Sequence, residues 1–258
     1  MSVLVTGHRG FIGAQVFLTL RKNGIEPLGY DIGDQPVEGR YDYIVHMGAR
    51  TLIRNSVKAP FEYFNDNLGL TLIFLEMARK HDSNIVIPTS GSIQKPSNPY
   101  SMSKKQIVEW VSLYRELYGV KVHLLRFYNI YGPTSRKGAV YLFTKAALCG
   151  ETAIIYGDGN HVRDFVHVRD VANLINDIVD GKLSPGDFEV GTGLGTSVHE
   201  LLHLVETVTG RKLETSVEPY LLEEADTLVA SKTVLSSFIS LRAGIKEVFE
   251  NLMTCEVC

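Results

Sequence analysis

The chain has 258 residues, 45% of them hydrophobic and 21% charged, with a formal net charge of −3. Those proportions suit a globular protein with a sizeable core. With no long basic run and no apolar stretch of membrane length, neither nucleic acid nor a membrane is an expected partner, and the expected compartment is the cytoplasm.

A buried strand is expected at 2–6 and a helix at 10–23, joined by Gly7-His8-Arg9-Gly10-Phe11-Ile12-Gly13. Further strands are read at 26–30, 43–46, 84–88 and 120–126, with helices at 60–81 and 99–118. Strands alternating with helices imply parallel pairing through right-handed crossovers, a doubly wound α/β sheet covered on both faces. The interval 33–40 is polar and too short for a helix and a strand, so the second crossover is expected to be reduced. After Pro133 the rhythm changes, with helices at 139–149, 168–180 and 198–209 and strands at 152–156 and 188–190. The reading is a dinucleotide-binding, Rossmann-like domain over 1–133, with strand contributions from about 160–190. A smaller α+β substrate lobe over 134–258 completes it.

Gly7-x-x-Gly10-x-x-Gly13 follows a strand and opens a helix, the context that turns a glycine pattern into a dinucleotide site. Gly7 makes the tight turn, Gly10 lets the backbone approach a pyrophosphate, and Gly13 lets the helix pack on the sheet. The helix amino terminus offers free N–H groups to the phosphates. Asp31 ends the second strand, where a carboxylate accepts hydrogen bonds from an adenosine ribose and repels a 2′-phosphate, which favours NAD. Arg9 argues for NADP, because a guanidinium beside the turn binds that phosphate. A solvated turn residue is the plain alternative for Asp31.

Tyr100 and Lys104 stand four residues apart on a helix that takes Pro99 in its first turn and Asn98 or Ser97 as its cap. That spacing puts phenol and ammonium on one face. A cation there is expected to lower the phenol's pKa and make Tyr100 a base. Cys255 and Cys258 form a C-x-x-C without a second ligand pair, so no metal site is expected.

The glycine motif and Tyr100-x-x-x-Lys104 together resemble the extended short-chain dehydrogenase/reductases, in particular the NAD-dependent nucleotide-sugar epimerase/dehydratase family. The resemblance continues in His46-Met47-Gly48-Ala49, Asn65-Asp66-Asn67-Leu68, Thr89-Ser90-Gly91-Ser92 and Arg126-Phe127-Tyr128-Asn129-Ile130-Tyr131-Gly132-Pro133. Gly157-Asp158-Gly159, Arg163-Asp164-Phe165-Val166-His167-Val168 and Gly191-Thr192-Gly193 extend it across nearly the whole chain. It implies that Tyr100 is the acid/base, that Lys104 holds the nicotinamide ribose, and that Ser90, or Ser92, hydrogen-bonds the reacting oxygen. It implies further that Gly7, Arg9, Gly10, Phe11, Ile12, Gly13, Asp31, Met47, Gly48, Ala49, Asn67 and Tyr128 meet the cofactor. Asn129 and Arg163 would grip the substrate diphosphate, although Arg163 could instead be a structural partner of Asp164 or Asp170.

Glu218-Pro219-Tyr220-Leu221-Leu222-Glu223-Glu224 replaces the family's Arg-Pro-Gly-Asp/Glu, removing one clamp arginine for which Arg136 or Lys137 is a candidate substitute. Gly91 and Ser92 stand where family dehydratases carry a carboxylate, which disfavours dehydration. The expected reaction is epimerisation of a nucleotide sugar through a transient keto form, UDP-glucose/UDP-galactose 4-epimerase-like, with NAD. The alternatives are an NADPH-dependent reductase of a 4-keto nucleotide sugar and a non-catalytic dinucleotide-binding regulator. A homodimer is expected through the helices at 60–81 and 99–118, with Leu68, Leu72, Leu75, Val108, Val111 and Leu113 as seam candidates.

Overall fold

The computed structural model describes residues 1–35, 37–94, 96–220 and 225–255. The chain divides into two compact units, 1–127 with 171–189 and 128–170 with 190–258.

The first unit is built on a six-stranded sheet. Its strands are β1 (Val3–Thr6), β2 (Leu28–Tyr30), β3 (Tyr43–His46), β4 (Asn84–Ser90), β5 (Val122–Phe127) and β9 (Gly186–Val190), in the order β2-β1-β3-β4-β5-β9. The pairs β1–β2, β1–β3, β3–β4 and β4–β5 are parallel, making this the Rossmann-like α/β fold expected. Leu4, Ile44, Ile85, Ile87, Val122 and Leu124 share a core with Leu75 and Ala78 of α4 (Leu70–His81) and Ile107 and Val111 of α5 (Pro99–Tyr118). The alternate strand positions Val3, Val5, Val45, Val86 and Leu125 are buried too. Burial of both faces is why these strands read as unbroken apolar runs.

Among the described residues no helix or strand lies between β2 and β3, and β2 ends the sheet. Val37 and Tyr41 pack against the core instead, so two side chains cover what a crossover helix would. The helix expected over 60–81 is interrupted. Short helices α2 (Ile53–Lys58) and α3 (Pro60–Tyr63) lead into a π-helical turn at Phe64–Gly69 before α4. A π-turn inserts an extra residue into the ladder and re-aims its side chains. Leu68, Leu75 and Val111 are buried, and Leu72 and Val108 pack on the same core, so these five seam candidates serve their own unit. Leu113 is exposed, as are Ile73, Trp110 and Leu117.

In the second unit β6 (Asn129–Tyr131), β10 (Gly195–Ser197) and β12 (Thr227–Leu228) each pair with β8 (Val162–His167), while β7 (Ala153–Tyr156) pairs with β11 (Thr215–Glu218). Helices α6 (Ala139–Cys149), α8 (Val198–Thr209) and α9 (Leu241–Thr254) share its core through Phe143, Leu201, Val205, Ile245 and Val248. The remaining helices are α1 (Phe11–Lys22) and α7 (Val168–Val179). Among the described residues no helix is long and apolar enough to cross a membrane.

Candidate active site

In the first unit the glycine turn is built as its spacing requires. Gly7 has φ +66°, and a Cβ there would stand 2.7 Å from the Gly48 nitrogen. A Cβ on Gly13 would stand 2.1 Å from the Gly7 carbonyl oxygen. Gly10 caps α1 without a side-chain hydrogen bond, leaving the first-turn N–H groups of Phe11, Ile12 and Gly13 without intrahelical partners. A cleft of about 200 Å³ opens here, lined by Gly7, Gly10, Asp31, Met47, Gly48 and Ala49 among others. Close backbone, free N–H groups and a carboxylate at a strand end suit the pyrophosphate and ribose of a dinucleotide. Phe11, Ile12, Gly13, Arg9 and Asn67 do not line the cleft.

The Tyr100 helix starts as its sequence predicts. Asn98 accepts from the Ser101 N–H at 2.9 Å, Ser101 returns a bond to the Asn98 N–H, and Pro99 takes N1. Ser90, the last residue of β4, lies close enough to Tyr100 to lower its phenol's pKa, and the Ser90 and Ser92 hydroxyls are 2.9 Å apart. Tyr100, Ser90 and Ser92 are thus brought together, with Lys104 one turn along α5.

The expected electrostatics need correction. Burial pushes the Tyr100 phenol up, and Ser90 only partly opposes it. Lys104 is buried, donates to the Pro88 carbonyl at 3.0 Å, and is lowered to about 8 by desolvation. Its ammonium is held by backbone rather than by the phenol, so the protein alone does not make Tyr100 a phenolate.

Asn67 lies in the π-turn and is buried. Its carbonyl oxygen accepts from the Arg50 N–H at 2.8 Å, and its amide donates to the Arg50 carbonyl and the Ser103 hydroxyl, both at 3.1 Å. Arg50 lines the cleft and Ser103 precedes Lys104, so Asn67 braces the one against the other.

His46 was legible only as part of a motif, and its role appears in three dimensions. The Thr71 hydroxyl donates to the Asn67 carbonyl at 2.6 Å, so its oxygen is left to accept from His46 Nε2 at 3.1 Å. Nε2 therefore carries the proton, and Nδ1 accepts from Thr6 Oγ1 at 2.8 Å, whose oxygen in turn accepts the Gly48 N–H. Burial lowers His46 to about 3, with the Lys104 charge adding to the effect. A neutral imidazole thus ties β1, the Met47–Ala49 segment and α4 together.

Among the substrate candidates in the second unit, Asn129 donates to the Asp164 carbonyl at 3.4 Å. Arg163 Nη1 donates to the carbonyls of Val162 at 3.0 Å and Ala225 at 2.9 Å. Asp164 is not its ion partner. That buried carboxylate accepts from Thr192 Oγ1 at 2.7 Å and from the N–H groups of Thr192, Gly193 and Ala230. Asp170 accepts instead from the Ile239 N–H at 2.9 Å. Tyr128 is half-buried between β5 and β6. Arg136 lies over the Tyr141 ring at 5.9 Å. Glu218 is exposed at the end of β11, and Tyr220 stacks on His161 at 4.4 Å. Residues 221–224 of the replaced clamp motif, and Cys258, lie outside the described residues.

The chain is similar to several known proteins. A protein of Methanocaldococcus jannaschii named "Putative UDP-glucose 4-epimerase" is 32% identical over 260 residues, covering 81% of this chain and 82% of that one. The UDP-glucose 4-epimerase of Halalkalibacterium halodurans is 27% identical, covering 90% and 87%. The crystal structure of Thermus thermophilus UDP-glucose 4-epimerase in complex with NAD superposes with a TM-score of 0.88 at 25% identity, covering 99% of this chain and all of that one. The NAD dependent epimerase/dehydratase family profile matches residues 3–191, and with the glycine turn and the Tyr100–Ser90 pair in place, the chain belongs to that family.

Proposed function

We propose that the protein is an NAD-dependent epimerase acting at C4 of a UDP-hexose, interconverting UDP-glucose and UDP-galactose. The observation that carries this reading is that Ser90 acts on the Tyr100 phenol, with a buried lysine one helical turn along, in a chain whose relatives are named as UDP-sugar 4-epimerases. Bound NAD supplies the hydride acceptor and, later, donor. Gly7, Gly10, Met47, Gly48 and Ala49 shape its cleft and Asp31 is assigned to its ribose; the free first-turn N–H groups of α1, set behind the cleft lining at Gly10, are assigned to its phosphates.

Tyr100 would first lose its own proton to solvent, helped by Lys104 and by the positive charge that bound NAD would add. The phenolate would then take the sugar hydroxyl's proton as hydride leaves the same carbon, and return it after the keto sugar has turned over. Ser90, backed by Ser92, donates to the reacting oxygen. Lys104 supplies the positive charge that compensates the phenolate while that charge exists, which its buried position makes effective. Asn129 and Arg163 are assigned to the diphosphate, and Tyr128 to the cofactor. No carboxylate follows Ser90, so no group is at hand for expelling water from C6.

Incubation with UDP-galactose should yield UDP-glucose without net consumption of NADH or NADPH. Tyr100→Phe should lower turnover at least about 100-fold while leaving NADH binding measurable. Full turnover in that variant would remove Tyr100 from its role. Net oxidation of NADPH would favour the reductase alternative. We also assign a homodimer to the exposed face formed by Ile73 on α4 and Trp110, Leu113 and Leu117 on α5. Leu113→Glu should then sediment as a monomer, and an unchanged sedimentation coefficient would refute that face.

A further inference from the structure

Arg9, beside the glycine turn, would make a receptor for a 2′-phosphate, because a guanidinium presents a planar fork to phosphate oxygens. Its side chain is not available in that form. Arg9 Nη2 is paired with Asp34 Oδ1, and Arg9 Nε stands 3.9 Å from Asp31 Oδ2. The other Asp34 oxygen accepts the Asp31 N–H at 2.7 Å, and the Asp34 N–H donates to the Asp31 carbonyl at 3.0 Å. Asp34 is therefore fixed by its own turn before it meets Arg9. Asp31 in turn accepts the Arg9 and Ile32 N–H groups, at 3.1 and 3.0 Å, and Asp31 and Ile32 line the cleft. Two carboxylates thus surround one guanidinium where the ribose end of a dinucleotide would lie.

We propose that Asp34 sets the choice of NAD over NADP by holding the Arg9 guanidinium in an ion pair and so withholding it from a 2′-phosphate. This rests on the reading that the cleft takes a dinucleotide. Asp31 acts separately, as an acceptor for the ribose hydroxyls. The short turn that replaces the second crossover carries Asp34, so the reduction of that crossover is what places the locking carboxylate. The pair is more than one-third exposed on both sides, so its effect is graded rather than absolute.

The test is a fluorescence titration of NADH and NADPH into the purified wild type and into Asp34→Asn, Arg9→Met and the double variant. Asp34→Asn keeps an oxygen for the Asp31 N–H, and Asp34→Ser serves as a second variant should the first melt early. Wild type should bind NADH more tightly than NADPH. Asp34→Asn should shift the ratio of the two dissociation constants toward NADPH by about tenfold, and the same change in the Arg9→Met background by no more than about twofold. A ratio unmoved by both Asp34 variants overturns the proposal. So does an equal shift in both backgrounds, which would mean simple repulsion by Asp34 without Arg9. Wild type binding neither nucleotide would overturn the dinucleotide reading itself, and the proposal with it.

Discussion

Lys104→Met separates the stability of this site from its chemistry. Burial lowers the Lys104 ammonium from 10.5 to about 8. At ~1.4 kcal/mol per pH unit, keeping it charged in the folded protein costs roughly 3 kcal/mol near neutral pH. Methionine fills a similar volume without charge but leaves the Pro88 carbonyl short of its donor, at a cost of about 1–3 kcal/mol. The variant should therefore be as stable as wild type near pH 7, or up to ~2 kcal/mol more stable, while losing epimerase activity.

The sign with pH follows from proton counts. The folded pKa lies below the unfolded one, so between about 8 and 10.5 the unfolded chain binds the extra proton, and wild type gains stability as pH rises through that window. Lys104→Met has no such gain. Urea unfolding of both proteins near pH 7 and near pH 10 should show the difference moving by roughly 3 kcal/mol in favour of wild type. Taking the difference cancels the tyrosines and the other lysines. A difference that does not move with pH, or a variant more than ~2 kcal/mol less stable at neutral pH, would refute the charge-burial argument.

The other predictions concern the neighbouring residues. Gly13→Ala places a Cβ 2.1 Å from the Gly7 carbonyl oxygen, and should cost about 2–3 kcal/mol and weaken NADH binding. A melting temperature unchanged from wild type would show that the turn relaxes freely. His46 is held neutral with a folded value of about 3 against 6.5. The unfolded chain therefore binds the extra proton between those values, and stability should fall as pH drops through that window, by up to roughly 5 kcal/mol. His46→Gln should flatten that acid limb in melts recorded across the range. An identical slope would mean that His46 does not titrate as argued.

Short-range features of the site were legible in the sequence. Gly7, Gly10 and Gly13 announce their turn because only close backbone contacts demand that spacing, and Asn98-Pro99 announces the start of α5 because a cap and an N1 proline act within one turn. The α9 helix carried an equally local signal, with Leu241, Ile245, Val248 and Leu252 at helical spacing behind the Ser240 cap, yet it was not among the expected elements. The break of the 60–81 helix was less visible, since a π-turn differs from an α-turn by one residue and leaves the apolar period almost intact.

By itself the amino-acid sequence determined the parallel sheet, the dinucleotide turn and the placing of Tyr100 and Lys104 on one helix face, because each rests on periodicity or on residues a few positions apart, whereas Ser90 entered only through the family resemblance. Only the tertiary structure decided what surrounds those groups. The Pro88 carbonyl on Lys104, the His46 tautomer and the brace formed by Asn67 all depend on contacts between segments 16 to 42 residues apart. Desolvation and hydrogen bonding act through space, and no residue's own chemistry reveals which distant carbonyl or carboxylate will face it.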